Sequence, residues 1–158
     1  MSKPILTMLA TACALAVPAL AHSRQVTLTA QLKDYGGNGA YVAAYLTDAK
    51  GAYVRTLWVA GGKAKYHKHL SDWSRLSAGD ARRLDGVTGA SVGAGRTLKV
   101  TADLADALID AGYEIRLDAA VEDMRDSPSE VRMPLSTANV GKPQAGKQYI
   151  QSVTLQLK

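Results

Sequence analysis

Apolar and polar residues alternate with period two in segment after segment of this chain, and turn-forming residues separate the segments. Such a pattern favours half-buried strands stacked in antiparallel layers over any helical arrangement. Residues 25–32 set Val26, Leu28, Ala30 and Leu32 on one face. Residues 41–46 and 53–59 read as two strands of a hairpin closed by Asp48-Ala49-Lys50-Gly51. Residues 96–101, 113–121, 130–135 and 149–157 continue the series, with breaks at 34–39, 61–62, 92–95, 126–129 and 139–146. Helical spacing of Tyr66, Leu70, Trp73 and Leu76 predicts one short helix over 68–76, and residues 104–111 read either as a second helix of one or two turns or as a loop between strands. Trp73 is expected in the core. Seven or so strands with a turn about every ten residues predict an all-β fold, an antiparallel immunoglobulin-like β-sandwich with one or two short helices. No βαβ alternation is present, and no strand leads through a glycine fingerprint into a helix, so a dinucleotide-binding Rossmann fold is excluded.

The first 21 residues read as a Sec-type signal peptide. Lys3 precedes an apolar run over 5–17, and Ala19-Leu20-Ala21 supplies a small-x-small cleavage site. The run is too short for a transmembrane helix, so the chain is expected to be periplasmic and not an integral membrane protein. A lipoprotein signal ending at Cys13 would leave a shorter apolar region and fits less well. Cleavage leaves residues 22–158 as a single domain beginning at His22, and it removes Cys13, the chain's one cysteine. The mature part then has no disulfide, thiolate metal site or cysteine nucleophile. Of 19 basic and 14 acidic residues only Lys3 is lost, so the mature net charge is +4. Those basic residues are scattered without interleaved aromatics, which speaks against nucleic acid as a partner.

Near the middle of the mature chain stands Asp85-Gly86-Val87-Thr88-Gly89-Ala90-Ser91. Its pattern, Asp-x-x-Thr-Gly-Ala-Ser, resembles the acceptor motif on which bacterial flavin transferases build a phosphoester between FMN and a Ser or Thr hydroxyl. That resemblance makes Ser91 the attachment residue, with Asp85 at the acidic position, Thr88 at the Ser/Thr position, and Gly89 and Ala90 as the small residues that admit enzyme and cofactor. Asp-Gly and Thr-Gly are also ordinary turn dipeptides, and the motif is expected in an exposed loop before the strand at 96. Trp58, Trp73 and Tyr66 offer aromatic faces for a flavin ring, and Arg82, Arg83 and Arg96 offer positive charge beside it.

Two other constellations compete. His22 at a new N-terminus, together with His67 and His69, could chelate copper, with the i, i+2 pair on one face if that segment were extended. Lys65 and Lys68 would oppose a cation there. Ser91 as a hydrolytic nucleophile would need one of these same three imidazoles as base, and the motif lacks the glycine arrangement of a nucleophile elbow.

The hairpin phrase over 41–58, then Trp73, the 85–91 motif and the strand at 113–121, are together similar to a family of predicted periplasmic proteins, domain of unknown function 2271. This chain has Ser where that family's acceptor position carries Thr, and both bear a hydroxyl. The resemblance implies periplasmic redox or iron-acquisition traffic, with a flavin transferase and a PepSY-type membrane reductase as partners. The expectation is a covalently flavinylated electron-transfer protein, a carrier more than an independent enzyme. The alternative is a cofactor-free binding module, in its metal form holding copper through His22, His67 and His69.

Overall fold

The computed structural model describes residues 22–78, 84 and 86–158, so the signal peptide expected over 1–21 lies outside the described residues. Their strands are β1 (Ser23–Leu32), β2 (Tyr41–Thr47), β3 (Tyr53–Ala60), β4 (Thr88–Gly89), β5 (Thr97–Ala105), β6 (Glu114–Ala120), β7 (Ser127–Pro134), β8 (Gln144–Ala145) and β9 (Ile150–Leu157). They form a four-stranded sheet in the order β5-β1-β9-β8 and a five-stranded sheet in the order β4-β3-β2-β6-β7. Every pairing is antiparallel except the short parallel one between β3 and β4. The fold is the expected all-β sandwich.

The alternation on β1 puts Val26, Leu28, Ala30 and Leu32 between the sheets, where they meet Val42, Ala44 and Leu46 of β2 and Ile115 and Leu117 of β6. Strand β2 is buried along its whole length. It is central in its sheet, and its second face is covered as well. Tyr41, Ala43 and Tyr45 point away from the sandwich interior and join Val59, Leu70, Trp73 and Ala120 in an outer cluster. A 3-10 turn (Ala64–His69) and a helix α1 (Ser71–Leu76) form the lid over that cluster.

Four local expectations are corrected. The helix foreseen over 68–76 is split at Leu70, whose backbone leaves helical geometry so that its side chain sits fully buried in the outer cluster. Residues 104–111, read as a helix of one or two turns or a loop, begin instead as strand: β5 runs on to Ala105 because Ser23 and Arg24 pair with Ala105 and Leu104, and a 3-10 turn (Asp106–Leu108) follows. Strand β7 starts at Ser127, not at residue 130. Pro128 is tolerated there because β7 is outermost in its sheet and need not donate on its free side. Finally, β4 lies inside the motif, where a plain loop was expected, and β8 inside the loop over 139–146.

Candidate functional site

The motif is anchored on both sides of its hydroxyl-bearing residue. Before it, Thr88 and Gly89 pair with Val59 and Ala60 at the edge of the five-stranded sheet. The Val59 N–H donates to the Val87 carbonyl and the Gly61 N–H to the Gly89 carbonyl, both at 2.8 Å. After it, Val92 exchanges two backbone hydrogen bonds with Ala40, at 2.7 and 2.9 Å, and tucks its side chain into the sandwich core. Ala90 and Ser91 span the interval between these two anchors, and Thr88, Ala90 and Ser91 are all exposed. Asp85 lies outside the described residues, as do Arg82 and Arg83.

Gly89 has a packing reason of its own. A Cβ there would stand 2.6 Å from Cζ2 of the half-buried Trp58. Gly89→Ala is therefore expected to lower the unfolding free energy by about 1–3 kcal/mol through overpacking. A urea titration that leaves the midpoint where it was would contradict this.

Beside the motif, Gly61 follows the last residue of β3. Its φ is +116°, a conformation that side-chain-bearing residues avoid, and the Tyr41 ring occupies the space a Cβ would fill. The Gly61 carbonyl accepts from Nε2 of His67 at 2.7 Å. His67 also sets its ring edge-on to Trp73 and Tyr41. Trp73 is held by its own N–H donating to Asp118 at 2.7 Å and by its indole N–H donating to Thr56 at 2.9 Å. This tryptophan is 2 % exposed and so is not available to a flavin ring. Trp58 is committed to Gly89 and the sandwich core. Of the three aromatics singled out from the sequence, Tyr66 lines a cleft formed by described residues.

That cleft has a volume of about 290 Å³. Tyr41, Tyr66 and His69 form one wall, and residues 120–124, which leave the end of β6, form the other. The Tyr66 hydroxyl donates to Glu122 across the mouth, and His69 Nδ1 lies 3.1 Å from both carboxyl oxygens of Asp126. Lys65 Nζ stands 4.8 Å from the centre of the Tyr66 ring and Lys63 Nζ 5.9 Å, so the outer face of that ring carries positive charge. Arg96 is exposed, with its N–H on the Gly93 carbonyl.

The three histidines are not brought together. His22 sits at the start of β1, its carbonyl bonded to the Asp106 N–H. His67 and His69 lie beyond the end of β3, at the opposite end of the sandwich, roughly 30 Å away by the rise of a ten-residue strand. His67 and His69 are also on a 3-10 turn and not a strand, so their rings diverge, one to Gly61 and the other to Asp126. Among the described residues no group of three His, Cys, Asp or Glu is placed to hold a metal ion. For the hydrolytic alternative, both nearer imidazoles have partners other than Ser91.

A family model described as a predicted periplasmic protein (DUF2271) matches residues 23–152, from the start of β1 into the first residues of β9. The chain belongs to that family. No curated protein and no solved structure matches it. In this DUF2271 member no helix among the described residues is long and apolar enough to cross a membrane. The matched span includes the whole motif, the glycine turn before β2 and both walls of the cleft.

What sequence inspection missed is the cleft and the two buried acids near it, Asp118 and Glu130, which are 0 % and 1 % exposed. An aspartate inside the apolar run Ile115-Arg116-Leu117-Asp118-Ala119-Ala120-Val121 was the available signal for the first.

Proposed function

We propose that this chain is an exported periplasmic electron-transfer protein that carries FMN as a phosphoester on Ser91. The observation carrying this reading is the position of that residue: an exposed hydroxyl on a two-residue span whose flanks are hydrogen-bonded to β3 and to Ala40. An acceptor hydroxyl must be reachable by a bulky modifying enzyme, and it must afterwards hold its cargo at a fixed place on a rigid scaffold. Ser91 meets both demands, and the small Gly89 and Ala90 keep the approach low.

Attachment is a group transfer. The Ser91 oxygen forms a bond to the phosphorus of the FMN half of a flavin dinucleotide, the pyrophosphate bond breaks, AMP leaves, and the hydroxyl proton passes to solvent. The flavin transferase supplies catalysis for that step, and a signal over 1–21 with cleavage before His22 delivers the chain. Bound FMN supplies acceptance and release of electrons one or two at a time. The chain's part is to tether, orient and shield it, so it acts as a carrier between a PepSY-type membrane reductase and an acceptor outside the cytosol. Tethering is useful in that compartment because a free cofactor diffuses away.

Co-expression with a flavin transferase tests the reading by intact mass. The expected gain is that of FMN less one water, mapped to the peptide containing Ser91, and Ser91→Ala should abolish it while leaving the unfolding curve in place. An unmodified mass, obtained with a transferase active on a control substrate, would reduce the motif to a turn and an edge strand.

A further inference from the structure

The motif and the cleft are separate in sequence, yet one glycine turn touches both. A Cβ on Gly39 would stand 2.6 Å from the Ser91 Oγ, and a Cβ on Gly37 would stand 2.9 Å from the Met124 Sδ at the cleft wall. Gly37 and Gly39 are two residues apart, at most about 7 Å along the chain. The Ser91 hydroxyl and the cleft therefore lie at the two sides of a short glycine-rich ridge whose one side chain is that of the exposed Asn38. From the other direction, Val92 pairs with Ala40, the residue before the cleft-lining Tyr41.

We propose that the cleft between Tyr41, Tyr66 and Met124 is the seat of the isoalloxazine ring of a flavin tethered at Ser91, with its ribityl chain crossing the ridge at Gly37 and Gly39. The proposal rests on the attachment reading above and adds to it a binding site. Size agrees: about 290 Å³ is at the small end of ligand pockets, which run roughly 300–1,000 Å³, and suits a single ring system better than a whole dinucleotide. Chemistry agrees too. Tyr41 and Tyr66 meet at 62° with centroids 5.5 Å apart, so their rings form a corner and not a stack, leaving aromatic surface toward the cleft. Met124 adds a flexible, polarisable thioether opposite them, and it is 39 % exposed, an unusual place for a methionine with only a packing role. Glu122 and His69 line the polar side, where a ring bearing carbonyl and imide groups needs hydrogen-bonding partners. Both are held in place, Glu122 by Tyr66 and His69 by Asp126.

Tyr66 is a positioning residue on this account, and flavin fluorescence reads its role directly, because an oxidisable aromatic side chain, Tyr or Trp, quenches emission by electron transfer when it lies against the ring. The full-length protein is flavinylated by co-expression and its mass checked first. With FMN on Ser91, emission should be severalfold weaker than that of free FMN, and iodide should quench what is left poorly. Tyr66→Leu should raise emission severalfold and open the ring to iodide with the mass unchanged, whereas Tyr66→Trp, which keeps an oxidisable aromatic face and loses the bond to Glu122, should stay quenched. If the loaded protein emits as free FMN does, is freely quenched by iodide and is indifferent to Tyr66→Leu, the cleft is not the seat and the attachment stands alone. An unmodified Ser91 overturns both. Should Tyr66→Leu fail to fold, iodide quenching of the unsubstituted protein still separates a seated ring from a free one.

Discussion

Glu130→Ala is expected to lower the unfolding free energy by about 2–6 kcal/mol, out of the roughly 5–15 kcal/mol that holds such a domain together. Glu130 is on β7, at the edge of the five-stranded sheet, with its side chain turned inward and 1 % exposed. Its Oε1 accepts the backbone N–H groups of Lys147, Gln148, Tyr149 and Ile150 at 2.8–2.9 Å, and its Oε2 accepts the Ser127 hydroxyl. These four amides belong to the turn that leads into β9, in the other sheet, so one carboxyl group ties the two layers at the end where the motif lies. Truncation strands at least the Tyr149 and Ile150 amides, both buried, at about 1–3 kcal/mol each. Lys147 and Gln148 are exposed and can turn to water. Glu130→Gln keeps one accepting oxygen for the four amides and should cost clearly less. Equal losses for the two variants in urea titrations would show that volume, and not the amide cluster, is what Glu130 provides. Tyr149 also packs edge-on against Tyr35 and donates its hydroxyl to the Arg125 carbonyl, so loosening it should disturb both the glycine turn and the outer cleft wall.

How far the sequence spoke depended on whether a feature was periodic. The alternation Val26, Leu28, Ala30, Leu32 named a core face, and all four are at most 2 % exposed. In β2 the same logic had less to offer, because its outer face is roofed by α1 and the 3-10 turn, so the run from Tyr41 to Leu46 is apolar on both sides. Two-residue strands such as β4 have no period to detect, and their existence depends on which edge is vacant. The break at Leu70 answers to the outer cluster's need for a plug, a tertiary demand invisible locally. The exposure of Ser91 was legible from small and turn-forming neighbours. Its closeness to an aromatic cleft was not, since Gly37, Tyr66 and Met124 are far apart in the chain and meet only through strand order. The separation of the histidines was hidden for a related reason: nothing in a sequence says that residue 22 and residues 67–69 go to opposite ends of the sandwich.

Asp118→Ala should be comparably damaging, at about 3–6 kcal/mol, and its damage should be felt at the cleft. Asp118 is fully buried on β6, and its oxygens accept from the Tyr45 hydroxyl at 3.0 Å, the Ser129 N–H at 2.9 Å and the Trp73 N–H at 2.7 Å. Without it a buried hydroxyl and a buried amide lose their partner, and α1 loses its hold on the sheet just after the 3-10 turn that carries Tyr66 and His69. Flavin emission from a loaded Asp118→Ala protein should therefore rise even at temperatures where the chain is still folded. The acid also leaves a pH signature. Burial pushes its carboxyl above the ordinary 3.8, outweighing the three donors that favour the ionised form. The folded chain then keeps this proton where the unfolded chain has released it. Its contribution to stability accordingly declines as pH rises from about 3.8 through the raised value and is level beyond it. The exposed Asp110, held below the usual range by Ser136 and Thr137, works in the opposite direction, its contribution being lost as pH falls through its lowered value. Asp118→Asn does not titrate, so the decline above pH 3.8 should vanish from its stability profile while the acid-side loss from Asp110 persists. Urea midpoints for the two proteins across that interval check the sign: if their difference is constant with pH, Asp118 holds no raised proton, and its role is reduced to the three hydrogen bonds.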